Sequence, residues 1–336
     1  MTKPTETEER PIMKTRRFIR IMLAVILFLS CASGESYEPL PMDSTAIAPA
    51  PQDECYISDR EYKDDTISVV ITEGDFERVH YWCARVKISH PSQLRTAPAR
   101  QVNDPNAVFT AWHDAHAECT DLAAAVHAVV AINGDYFNDF DRCQVVLRQG
   151  QQVRNMSNSL YDVLIIDNDG NFDCILNCNT QGYKEYYKEH DGQIYQAFCF
   201  GPAMVINDEI VVNDKKMGKN YAYSLYDDRT QRMAIVQVGE LDYLLITSDG
   251  DPMTHSNGLT IPKFAELCLT LGRDANPEGG ARVAYNLDGG NSASLVFKTQ
   301  IPGNKYAYTK LNMPKLNRPL ADMICFVSLV PSGVSE

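Results

Sequence analysis

The chain has 336 residues, 44% of them apolar and 22% charged, which provides enough apolar matter for a substantial core and excludes wholesale disorder. Its formal net charge of -13 hides an asymmetry, because residues 1–30 carry +3 and the remainder -16. An acidic body repels phosphate backbones, which argues against nucleic acid as a partner.

The basic head of the chain, with Arg10, Lys14, Arg16, Arg17 and Arg20, leads into the apolar run from Ile21 to Leu29 and then into Ser30-Cys31-Ala32-Ser33-Gly34. Cationic, apolar and small residues in that order mark residues 1–33 as a signal peptide, a lipoprotein segment or an uncleaved anchor; the apolar run is short for a membrane span. The protein is therefore expected to be secreted or held at the cell surface or envelope, with any membrane attachment made only through this segment. Export permits disulfides among the nine cysteines after Cys31, and an odd number leaves at least one free or paired outside the chain. Cys174 and Cys178 read as a local bridge or buried thiols, since no second Cys/His pair with zinc-like spacing accompanies them.

Residues 34–65 include the Pro-, Ala- and Ser-rich stretch from Tyr37 to Asp53 and read as a linker, so the fold is expected to span about 66–331. Thr66–Ile71 and Val79–Ile88 have strand character. His113-x-x-His116 with Glu118 has metal-like spacing but no identifiable third ligand, and reads as a solvated helix. Thr120 is a plausible N-cap for a helix to His127. Val129–Ile132 follows as a buried strand that empties into Asn133-Gly134-Asp135-Tyr136-Phe137, whose aromatics suit a sugar-sized pocket. Val145–Val153 and Asp162–Ile175 continue as hairpins, the second turning at Asp167-Asn168-Asp169-Gly170. Phe198–Val212 is a strand pair broken at Gly201-Pro202. Gln231–Val236 puts Arg232 at the head of an apolar strand, and Tyr243–Thr247 is a buried strand ending in Ser248-Asp249-Gly250. A helix starts at Thr260, with Phe264, Leu267, Cys268 and Leu271 on one face and Gly272 as its stop. Ala284–Leu287 and Ala293–Phe297 are strands around Asp288-Gly289-Gly290-Asn291-Ser292, a turn with more polar and glycine positions than chain reversal needs. The whole is α+β: a mixed β-sheet core with a few flanking helices in a single large domain.

Strand ends at one sheet edge converge, so Asn133, Asp135, Arg232, Asp249, Asn286 and Asp288 are candidates for a shared pocket. Asp249 and Asp288, linked by a helix, are expected at the same end of neighbouring parallel strands. The Gly-Asn-Ser-Ala-Ser run at 290–294 nearly matches a nucleophile elbow but lacks its last Gly, and no His follows it.

With Asn133-Gly134-x-Tyr136-Phe137, Gly201-Pro202, Arg232-x-Ala234, Asp249-Gly250, Ser256-x-Gly258 and Asn286-Leu287-Asp288-Gly289-Gly290 in this order, the chain resembles the phosphodiester glycosidase family over about residues 66–331. Asp135 and Asn291 stand where Gly is usual, and Asp251 where Arg is common. The resemblance implies a secreted hydrolase that breaks the C1 bond of a sugar-1-phosphodiester in a carbohydrate partner. Asp249, Asp288, Arg232 and Asn133 would be catalytic, and Gly134, Asp135, Tyr136, Gly201, Ser256, Gly258, Asn286, Gly289 and Gly290 would bind substrate. In such chemistry one of Asp249 and Asp288 serves as nucleophile or base at C1 and the other as its partner or metal ligand; Arg232 or a divalent cation, Ca or Mg, neutralises the leaving phosphate. The alternatives are a polysaccharide-binding envelope protein without turnover and a phosphodiesterase that cleaves the P–O bond.

Overall fold

The computed structural model describes residues 37–43, 46–109, 115–135, 145–155, 161–212, 228–250, 256–303, 305–315 and 317–331. In chain order the described strands and helices are β1 (Tyr56–Ser58), β2 (Glu61–Lys63), β3 (Ile67–Phe76), β4 (Val79–Ile88), β5 (Leu94–Pro98), α1 (Cys119–Ala125), β6 (Ala128–Asn133), β7 (Val145–Arg148), β8 (Gln151–Asn155), β9 (Tyr161–Asp167) and β10 (Phe172–Cys178). They continue with α2 (Thr180–Glu189), β11 (Ile194–Phe198), β12 (Ala203–Ile206), β13 (Glu209–Ile210), β14 (Arg232–Gly239), β15 (Asp242–Ser248), α3 (Ile261–Ala275), β16 (Val283–Leu287), β17 (Leu295–Ile301), β18 (Lys305–Lys310) and β19 (Asp322–Val327). The fold is α+β, and residues from Tyr37 onward form one compact unit.

The strands form three sheets, ordered β1-β2-β3-β4-β15-β14-β16-β12-β13, β10-β9-β11-β7-β8 and β18-β17-β6-β19-β5. Their central strands are buried along nearly their whole length and mostly apolar because both faces are covered. Alternation sends Tyr243 and Leu245 of β15, Leu164 and Ile166 of β9, and Ile324 and Phe326 of β19 into one common core between the sheets. The intervening residues face outward onto helices. Leu244 and Ile246 meet Phe264 and Leu267 of α3. Met323 and Cys325 meet Leu122 of α1, and Val163 and Ile165 meet Tyr183 of α2. Each large side chain removed from water this way contributes roughly 1.5–3 kcal/mol.

Local chemistry explains the helix ends. Thr260 Oγ1 accepts from the Lys263 amide, 3.4 Å away, and caps α3. Gly272 does not stop that helix, which runs to Ala275. A Cβ at Gly272 would lie 2.6 Å from the Ala281 Cβ, so the glycine is needed for close packing. The cap of α1 is Glu118, not Thr120. His116 precedes that helix in non-helical backbone, and His113 lies outside the described residues. The polar helix α2 carries little periodic signal and was not expected. At the β9–β10 turn, the Asp167 carboxylate accepts from the amides of Asp169 and Asn171 at 2.9 and 2.8 Å, the tight hairpin that was expected.

The fold begins earlier than residue 66. β1 and β2 already belong to the largest sheet, and the buried Arg95 guanidinium donates to the carbonyls of Pro41, Asp43 and Ala46 at 2.9, 2.6 and 3.1 Å. Composition marked residues 34–65 as a linker because a strap held through its backbone carbonyls needs no apolar periodicity. Among the described residues Cys55, Cys83, Cys119, Cys268 and Cys325 are free thiols, most of them buried. Among the described residues no helix is long and apolar enough to cross a membrane.

Candidate active site

The site lies where β6, β16 and β19 end or begin. Asn133 closes β6 and is buried. Its Nδ2 donates to the carbonyls of Asp288 and Gly134 at 2.8 and 3.1 Å, and its Oδ1 accepts from the Ser294 amide at 3.0 Å. One side-chain amide thus fixes the β16–β17 turn against the end of β6. The glycines of that turn serve backbone packing. A Cβ at Gly289 would stand 2.6 Å from the Gln231 carbonyl oxygen, and Gly290, with φ +57, donates its amide to the same oxygen at 3.0 Å.

The turn presents Asp288, half-buried, to a cleft lined also by Asn133, Gly134, Asp135, Ser292, Arg318 and Asp322. Burial pushes the Asp288 carboxyl up to about 6; the Ser292 hydroxyl, the Arg318 charge and the Gly289 amide pull it down, and Asp135 pushes it further up. Arg318 is exposed and donates from Nη1 to Ser292 Oγ at 3.1 Å. Cation, hydroxyl and carboxylate therefore form a short chain along one wall.

The floor of the cleft is a buried ionic cluster. Arg148, fully enclosed at the end of β7, donates to the Asp135 carboxylate and to Asp322 Oδ2, the latter at 3.0 Å. Asp135 Oδ2 also accepts from the Cys199 amide at 2.8 Å, and the guanidinium lies 4.0 Å from the centre of the Phe198 ring. A Cβ at Gly134 would collide with Asp322 Oδ1, so only glycine admits that carboxylate. Burial holds Asp322 above the usual carboxylate range despite the pull of Arg148. The cluster joins the second sheet to the third directly beneath Asp288.

Other candidates lie apart from this cleft. In register, Arg232 pairs with Ser248 and Ala234 with both Ile246 and Asn286, so Arg232 shares the α3 side of the sheet with Ala234 and Ile246. Its guanidinium donates to the carbonyls of Leu259 and Asp228 at 2.9 and 2.6 Å, and burial pushes it down to about 10. Asp249 is buried, takes the Gly250 amide at 2.6 Å and gives its own amide to the His80 carbonyl at 2.7 Å. It does not line the cleft formed by the described residues. β15 and β16 do run the same way, but antiparallel β14 lies between them, so they are not neighbours and the Asp249 and Asp288 backbones are about 10 Å apart.

Asn286 Nδ2 donates to the Gly201 carbonyl at 2.8 Å and its own carbonyl accepts from the Gly201 amide at 3.2 Å, which ties β16 to the cis Gly201–Pro202 bond. Ser256 Oγ accepts from the Gly258 amide at 3.3 Å, and Gly258, with φ +71, packs against the Thr230 backbone. Tyr136 and Asp251 lie outside the described residues. Sequence reasoning missed Arg318, Arg148 and Asp322. Arg148 closes an apolar Val-Val-Leu run and Asp322 opens an apolar Met-Ile-Cys-Phe-Val run, the same signal that singled out Arg232. Arg318 sits in a loop and carries no pattern. Among the described residues no group of three or more His, Cys, Asp or Glu is arranged to hold a metal.

Comparison with known proteins gives a consistent placement. The pattern of the phosphodiester glycosidase family matches residues 127–327, which include every charged group of the cleft. No curated protein matches. Among solved structures, the zebrafish N-acetylglucosamine-1-phosphodiester alpha-N-acetylglucosaminidase catalytic domain, auto-inhibited by its pro-peptide, has TM-score 0.54 and 16% identity over 81% of this chain and 86% of that one. A Synechocystis protein has TM-score 0.47 and 14% identity over 79% and 62% of the two chains, and a Burkholderia pseudomallei protein 0.39 and 13% over 76% and 75%. The family pattern spans more than half of the sequence and the zebrafish domain shares the fold: this chain belongs to the phosphodiester glycosidase family of hydrolases.

Proposed function

We propose that the protein hydrolyses the bond from C1 of a sugar to the phosphate oxygen of a sugar-1-phosphodiester, in an extracellular or envelope glycan. The observation that carries this reading is Asp288: a carboxylate raised to about 6 at the edge of a cleft, on a turn held by Asn133. A carboxylate raised toward neutral pH is a stronger base than an exposed one and is still ionised at pH 7. The cavity beneath it measures about 20 Å³, room for roughly one water. The sugar would lie over its mouth.

In the reaction, a water oxygen bonds to C1 as the bond from C1 to the phosphate oxygen breaks. That electron pair leaves on the phosphate, and Asp288 takes the water's proton and returns it to solvent. The transition state is oxocarbenium-like, so the negative carboxylate also favours it electrostatically. Phosphate leaves readily, and Asp135 and Asp322, engaged by Arg148, are not required as leaving-group acids. The cationic, apolar and small-residue order of residues 1–33 supports export, with membrane attachment only through that segment.

The test is release of free reducing sugar by the full chain from a panel of sugar-1-phosphodiesters beginning with N-acetylglucosamine, the sugar named for the zebrafish enzyme. Turnover is expected, and Asp288→Asn should lower it on the order of 10²–10⁴-fold. Sugar binding with no turnover on any member of the panel would favour a non-catalytic polysaccharide-binding protein and overturn the reading.

A further inference from the structure

We propose that Arg318, with Ser292 beside it, is the ligand of the substrate's phosphate, a role the sequence gives to Arg232 or a divalent cation. The inference rests on the phosphodiester reading of the cleft and names the group that recognises its anion. Arg232 turns to the α3 side of its sheet and its guanidinium is committed to the carbonyls of Leu259 and Asp228. Arg148 is fully enclosed between Asp135 and Asp322. Among the described residues lining the cleft, Arg318 is the one cation, and it is exposed at the mouth.

Its delivery to that place is built in. The segment between β18 and β19 is fixed at one end by Asn312, whose side chain takes the Leu295 amide at 2.7 Å and donates to the Ala293 carbonyl at 2.8 Å. At the other end Leu320 makes a paired backbone bridge with Ala117. Arg318 lies between these two fastenings, and its Nη1 rests on Ser292 Oγ at 3.1 Å. Ser292 lines the same cleft as Asp288 and its hydroxyl pulls the Asp288 carboxyl down, so one hydroxyl serves both the anion's ligand and the group that acts at C1. A planar guanidinium offers parallel donors that match two phosphate oxygens, and the departing phosphate gains charge as the bond from C1 breaks. The contact therefore strengthens toward the transition state, and the leaving group is held on the Ser292 side of Asp288.

The test compares Arg318→Ala and Arg318→Lys with wild type in the full chain, using two substrates of one sugar, a sugar-1-phosphodiester and an uncharged nitrophenyl glycoside, and calorimetric titration with inorganic phosphate. We expect Arg318→Ala to lose on the order of 10- to 100-fold in kcat/KM on the phosphodiester, to lose clearly less on the glycoside, and to weaken phosphate binding by a similar 10- to 100-fold. Arg318→Lys should fall between the two because it keeps charge but not the planar fork. Unchanged phosphate binding in Arg318→Ala overturns the proposal. An equal loss on both substrates, with Arg318→Lys no better than Arg318→Ala, also overturns it by giving Arg318 a structural role. A wild type that binds phosphate through Arg318 but turns over neither substrate would sink the glycosidase reading and leave the anion site standing.

Discussion

Replacing Asp288 with Asn should remove activity and at the same time stabilise the protein at neutral pH. In the fold the Asp288 carboxyl titrates at about 6 against 3.8 in the open chain, chiefly because burial penalises its charge. Between those values the folded state binds more protons than the unfolded state, so stability falls as pH rises through the window and is level above it. A shift of about 2 units corresponds to about 3 kcal/mol of destabilisation by the ionised side chain. Asn is neutral and nearly isosteric. The variant should therefore match wild type near pH 4 and exceed it by up to ~3 kcal/mol near pH 8. At roughly 2 °C per kcal/mol for a domain of this size, Tm should rise by about 4–6 °C. Thermal unfolding of the full chain and its Asp288→Asn variant from about pH 4 to pH 8 measures this. A difference in Tm that does not change with pH, or a variant less stable than wild type near pH 8, would show that Asp288 is not a buried charge held for chemistry.

Arg148→Ala should cost about 3–5 kcal/mol by chemical denaturation, because it leaves Asp135 and Asp322 buried without their cation. Asn133→Ala removes the bonds to the Asp288 carbonyl and the Ser294 amide; a loss of about 2 kcal/mol and a fall in kcat exceeding any change in KM are expected. For wild type, kcat/KM should climb with pH to a plateau with a midpoint near the Asp288 value of about 6, since the base acts ionised; a profile flat from about pH 5 to pH 8 would remove Asp288 as the base.

Much of the fold was legible because periodicity survives burial. Val129–Ile132, Tyr243–Thr247 and the α3 stripe of Phe264, Leu267, Cys268 and Leu271 announce two-faced strands and an amphipathic helix, and the structure places them so. Residues 37–65 were illegible because they are held partly through backbone carbonyls on Arg95, which leave no side-chain pattern. At the site, a polar turn between apolar strands pointed to Asp288, and a polar strand end pointed to Asn133 and Asp135. The pairing of Asp249 with Asp288 came from chain order alone, which does not reveal that β14 enters between β15 and β16 from residues earlier in the sequence. The glycines at 258 and 289 read as room for a ligand, yet they admit the backbone of residues 230 and 231. Arg318 had no local signal at all, since its place depends on the Asn312 and Leu320 fastenings at either side of it.

The most direct test of the reaction is hydrolysis of a sugar-1-phosphodiester by the full chain in isotopically heavy-oxygen water, with mass analysis of both products. Attack at C1 puts the heavy oxygen on the sugar and leaves the phosphate unlabelled, which is the result expected here. Label recovered in the phosphate would mean that the P–O bond is cut, and would contradict the account.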